Sequence, residues 1–138
     1  MNANSISQEF ISLLKIERYT LGFSVQILES GKKIGNNILE LSGQKISLIY
    51  FKVRSQKPIG WGVTANRIKK LKGSGKKLWL VLLFESPHTG YLLTSEEVSQ
   101  YQSIWALGND GDYKVQSGNY LRFHEPFYTF SEIMKKFI

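Results

Sequence analysis

Cysteine is absent from this 138-residue chain. That excludes a disulfide framework, a thiolate zinc site and a thiol nucleophile together, and it fits a reducing compartment. Histidine is nearly absent as well. His88 and His124 each stand near a proline, in SPHTG and RFHEP, and neither has further ligands at metal-binding spacing, so both read as turn or strand-end residues. No stretch approaches the roughly 18 to 20 apolar residues of a membrane span. The opening MNANSISQEF lacks a basic region followed by a long apolar run. The expectation is a soluble, cytoplasmic protein with no membrane partner. Internal repeats, low-complexity tracts and linkers are missing too, and the length suits one domain, residues 1–138.

Catalytic signatures are equally scarce. There is no G-x-S-x-G for an activated serine. The glycines of GSGKK lack the rest of a phosphate-binding loop and read as a turn, which argues against nucleoside triphosphate hydrolysis. Asp110 and Asp112 in NDGD resemble a fragment of a calcium loop that no glutamate completes, so this too reads as a turn.

Acids are missing where they would matter most. Between Leu41 and Phe84 stand ten Lys or Arg residues and no Asp or Glu, whereas the rest of the chain holds eight cations and all eleven acids. One segment therefore carries the whole excess of the +7 net charge. Such asymmetry favours a polyanionic partner, because each phosphate neutralised by Lys or Arg releases condensed counterions. A solvated basic surface that maintains solubility is the competing explanation.

What is present is a clear sequence of elements. Ser5 or Ser7 can cap a first helix from about Ser7 to Thr20, with Ile6, Phe10, Leu13 and Leu14 on one face and Gly22 as its stop. FSVQIL alternates as a strand. NILEL and KISLIYFKVRS form two more, joined at Ser42-Gly43 as a hairpin. Pro58-Ile59-Gly60-Trp61-Gly62 breaks the pattern, and TANRIKKLKG reads as a short basic helix or loop ended by Gly73. KLWLVLLF is the most apolar run and is predicted to be a central strand buried on both faces. YLLT follows as a strand, and Thr94-Ser95-Glu96-Glu97 caps a helix through about Trp105. YKVQ and YLRF flank a hairpin turn, and TFSEIMKKFI closes as an amphipathic helix. This order defines an α/β, or α+β, fold around one mixed central β-sheet flanked by helices.

Within IYFKVRSQ, a strand would place Tyr50, Lys52 and Arg54 on one face and Ile49, Phe51 and Val53 on the other. Two cations on a half-buried strand need a reason. The order of a helix with Glu9, GFSV, a turn, ILEL with Glu40, a short turn and a strand ending FKVRSQ resembles the PD-(D/E)XK nucleases. These share the restriction-endonuclease-like fold, and the chain looks most like their Holliday-junction-resolvase branch. The resemblance spans residues 7–56, with a nuclease-like core to about residue 100 and a C-terminal hairpin and helix beyond it. It implies a DNA-processing scaffold in which strand carboxylates hold magnesium while a lysine orients the attacking water. The matching positions are Glu9, Glu40, Lys52 and Arg54.

The departures are as informative. Lys52 stands where the family has a metal-binding glutamate, and Arg54 stands where it has the catalytic lysine. Magnesium wants oxygen ligands. An ammonium about 4 Å away in an effective dielectric of about 20 repels a unit charge by about 4 kcal/mol, and a divalent ion by roughly twice that. The expectation is a vestigial site with no resident metal or cofactor, in which Lys52 and the forked Arg54 grip phosphate. Lys57, Trp61, Arg67, Lys69, Lys70 and Lys72 would extend the DNA-binding face. Trp61 either stacks on a base or plugs the edge of the core. The alternatives are a magnesium-dependent endonuclease with a rearranged site, drawing on Glu9, Glu29 and Glu40, or a regulatory subunit whose basic face meets an acidic protein. The aromatic stretch YLRFHEPFYTF offers a surface for a homodimer.

Overall fold

The computed structural model describes residues 2–28, 38–54, 60–116 and 125–137, without the side chains of residues 18–21. The first helix, α1 (Ala3–Leu21), begins earlier than the serine caps predict. Its first turn is instead capped by Asn2, whose Oδ1 accepts from the Ser5 amide at 2.8 Å. Gly22, at φ +70°, ends the helix in the left-handed conformation that glycine adopts without strain.

Strands β1 (Ser24–Ile27), β2 (Ile38–Ser42) and β3 (Ile46–Arg54) form an antiparallel meander. The chain then leaves the sheet through β4 (Gly60–Thr64) and helix α2 (Ala65–Lys72), and returns as β5 (Lys77–Phe84) parallel to β3. A parallel pair requires such a crossover, since a tight turn reverses direction. The pairing runs from Ser47 opposite Lys77 to Arg54 opposite Phe84. Strand β6 (Gly90–Thr94) adds antiparallel to β5, giving a five-stranded mixed sheet of order β1-β2-β3-β5-β6.

Alternation along β3 and β5 divides the core into two layers. Ile49, Phe51, Trp79, Val81 and Leu83 face α1, through Ile6, Phe10 and Leu14, and the last helix, α4 (Phe130–Phe137). Phe10 joins that layer, its ring centroid 5.0 Å from Phe51 and 5.7 Å from Phe130. Leu48, Tyr50, Leu78, Leu80 and Leu82 face the other way, toward Trp61, Val63, Ile68 of α2, and Val98 and Tyr101 of helix α3 (Ser95–Gln102). Burial on both faces is why KLWLVLLF carries no alternation of its own.

Two expectations are corrected here. The stretch around Trp61 is a strand: Trp61 and Val63 point inward on either side of Gly62, and β4 heads a second sheet of order β4-β8-β7, where β7 is Ala106–Leu107 and β8 is Asp112–Gln116. Gly62 is small because a Cβ there would lie 3.1 Å from the Asp112 carboxylate. Helix α3 stops at Gln102 rather than reaching Trp105. Trp105 is nonetheless buried, stacked on Tyr101 with ring planes 5° apart. Thr94 caps α3 as predicted, in a reciprocal box with Glu97. NDGD is a turn in which Gly111 has φ +84° and the exposed Asp110 carboxylate meets Lys114 at 2.6 Å. That hydrogen bond draws the Asp110 carboxyl below the usual carboxylate range. The YLRF partner proposed for β8 lies outside the described residues.

Candidate nucleic-acid interface

The crossover from β3 to β5 places the basic helix α2 over the sheet face that carries Leu48 and Tyr50. Ile68 is the residue by which α2 is buried. Leu71, one turn on from Ile68, continues that apolar contact half-buried, while Arg67 and Lys70 stand to its sides. Arg67 and Lys70, with Leu71 and Ser74, form one wall of a groove of about 350 Å³ whose other lining residues are Leu28, Ile38, Leu48 and Lys76. The lining thus combines four aliphatic side chains with three cations. Lys69 is exposed to solvent.

Lys72 looks the other way. Its Nζ donates to Ser99 Oγ and to Gln102 Oε1, tying α2 to α3. Desolvation there pushes the Lys72 ammonium below its ordinary pKa, while Glu96 works in the opposite direction. Lys72 is therefore a strut between helices, not a member of the groove. Lys77 lies near the opposite layer, 4.6 Å from the centroid of the Trp79 ring.

The four positions matched to the nuclease motif do not converge. Glu40 pairs across the hairpin with Leu48, so it shares a sheet face with Lys52, yet Lys52 lies four residues further along β3. At about 3.3 Å per residue the two are about 13 Å apart along the strand. Glu40 is instead held by Lys76, with Oε2 and Nζ 2.6 Å apart. Lys52 is half-buried and Arg54 exposed at the far end of the strand, opposite Leu82 and Phe84 of β5. Glu9 is on α1, in the layer over the opposite face.

Magnesium, which the resemblance to the PD-(D/E)XK nucleases implies, is not matched by the side chains at these positions. Among the described residues no three of His, Asp or Glu come together. The carboxylate of Glu40 already has an ammonium on it.

Trp61 is corrected as a stacking residue. It is 5% exposed. Its indole N–H donates to the Leu83 carbonyl at 2.9 Å, and its ring meets Tyr91 edge-on at 6.1 Å. It plugs the core between the two sheets. Glu29, Lys57 and His124 lie outside the described residues. The residue that sequence reasoning missed is Lys76, along with the aliphatic floor beside it. Its only sequence signal was membership of the acid-free run, since its partner Glu40 is far away in the chain.

Helix, meander, crossover and parallel return define a restriction-endonuclease-like fold. The chain is similar to Hjc, a Holliday junction resolvase from the archaeal hyperthermophile Archaeoglobus fulgidus, with a TM-score of 0.55 and 13% sequence identity over 91% of this chain and 98% of that one. At that identity the likeness is one of fold. No family model matches the sequence, and no curated protein does. No helix among the described residues is long and apolar enough to cross a membrane.

Proposed function

We propose that this protein binds DNA on a nuclease-like scaffold whose metal site is degraded, gripping phosphates through the basic face of the β3-α2-β5 crossover. The observation that carries this reading is the groove: the acid-free segment folds so that Arg67, Lys70 and Lys76 gather around one depression. The resolvase-like fold supports it. Lys52 and Arg54, at the distal end of β3 and apart from the groove, supply a second pair of cations in this reading, at the positions that the motif resemblance matches to ligand and catalytic lysine. Lys69 adds charge on the solvent side of α2. A phosphate needs only fixed cations to be held, and a forked guanidinium holds it in two directions.

The test is retardation of labelled duplex and branched DNA in excess chelator, over a salt series. Each phosphate neutralised contributes about −0.9 to the slope of log affinity against log salt, so four or five contacts give about −4. Binding with such a slope supports the proposal. A flat dependence, or no binding at low salt, overturns it. Plasmid cutting with magnesium or manganese that is lost in Glu40→Ala would replace it with an active endonuclease.

A further inference from the structure

The groove beside α2 is not merely a cationic surface. Phosphates need nothing apolar, yet Leu28, Ile38, Leu48 and Leu71 line the same depression as Arg67, Lys70 and Lys76. At about 350 Å³ it is the size of a small-ligand pocket. Ile38 and Leu48 are almost wholly buried beneath it, so the apolar surface that the groove offers comes from the half-buried Leu28 and Leu71. Lys70 is exposed, and Lys76 reaches the groove while paired with Glu40. Lys70 adds positive charge to the lining beyond that pair. An occupant matched to it has a flat apolar body for those leucines and anionic groups for the rim.

We infer that the groove receives one unpaired nucleotide of a DNA strand, its base against Leu28 and Leu71 and its flanking phosphates on Arg67 and Lys70. This rests on the DNA-binding reading and adds a preference within it. Bases in a duplex are stacked and paired, so an apolar pocket can admit one only where the strand is single or a base is already extruded. Unpaired sites cost least to enter. Binding therefore favours a strand carrying bases over one carrying phosphates alone, and a bulged or frayed duplex over a fully paired one.

The test compares a fluorescently labelled oligothymidine with an abasic strand of equal length by anisotropy at low salt. Both strands present the same phosphates. The oligothymidine is expected to bind about tenfold more tightly, a gain matched by removing roughly 55 Å² of apolar surface from water at about 25 cal/mol per Å². Leu71→Gln should shrink that ratio toward unity. Lys70→Gln should weaken both strands alike. Circular dichroism of each variant confirms that it is folded, and a bulged against a paired duplex provides the same comparison in the unaltered protein. Equal binding of the two strands overturns the inference and leaves the DNA-binding reading standing. A tenfold preference that survives Leu71→Gln overturns the assignment to this groove. Binding of neither strand, paired or unpaired, overturns the DNA-binding reading itself.

Discussion

Lys76 Nζ lies 2.6 Å from Glu40 Oε2, so the one acidic side chain of β2 is answered by a cation that arrives at the foot of β5. The Lys76 side chain is 39% exposed and that of Glu40 14% exposed. The pair is a screened surface bridge, worth well under about 1 kcal/mol to the fold. Its larger effect is on charge at the groove, where it offsets one of three cations. Glu40→Gln is expected to tighten DNA binding about two- to threefold at low salt, with the gain vanishing at high salt, and to leave the melting temperature almost unchanged. Anisotropy titrations at two salt concentrations check this.

Arg67 and Lys70 should act additively on salt dependence. Removing each phosphate contact with Arg67→Gln or Lys70→Gln lowers the salt slope by about 1 and weakens binding to all sequences alike. Lys72→Gln is the contrast. It unties α2 from Ser99 and Gln102, so its expected effect is a lower melting temperature with little change in slope.

Trp61→Phe keeps most of the ring but deletes the N–H that reaches the Leu83 carbonyl. The expected cost is about 1 to 2 kcal/mol of unfolding free energy, read from urea denaturation, while DNA affinity of the folded protein is unchanged. Were Trp61 a stacking residue, affinity would fall and stability would not.

Gly90 sits where β6 leaves no room for a side chain against β5. A Cβ there would lie 2.0 Å from the Leu82 carbonyl oxygen, and the same residue exchanges backbone hydrogen bonds with Phe127. Gly90→Ala must displace β6 from β5, and the expected outcome is a loss of several kcal/mol or failure to accumulate as folded protein. Soluble expression and thermal melts would show it.

Alkaline stability follows from two tyrosines. Burial raises the Tyr101 phenol, with Glu97 adding to the shift, and burial together with Tyr128 raises Tyr91. A phenol whose folded pKa exceeds its unfolded value gives stability that is complete below the unfolded value near 10.0 and lost as pH climbs through the folded one. Melting temperature should therefore decline above about pH 10, and the decline should flatten in Tyr91→Phe and Tyr101→Phe.

The strands with strong signals were legible in the sequence. KLWLVLLF announced a strand covered on both faces, and the β2–β3 hairpin was readable from two apolar runs around Ser42-Gly43. Strand β4 was not, because its inward Trp61 and Val63 are separated and preceded by glycines that look like chain breakers. Legibility of the site ended at composition. That Lys72 serves α3 and Lys76 serves Glu40 depends on partners 27 and 36 residues away, and side-chain length lets a lysine choose among several such partners. The convergence expected of Glu9, Glu40, Lys52 and Arg54 fails for a related reason. A motif specifies order along the chain, whereas the register of β2 on β3 sets Glu40 beside Leu48 and away from Lys52.

Strand β4 pairs with β8, from Gly60 opposite Gln116 to Thr64 opposite Asp112. Residues 60–64 leave the ribosome long before residues 112–116 have been made. Until then Trp61 and Val63 belong to a strand with an open edge, and the docking of α2 against it is provisional. Contacts so distant in sequence form late and leave the nascent chain exposed to misassembly. The expected consequence is greater chaperone association of nascent chains that end before β8 than of the full chain, read by co-purification of stalled chains.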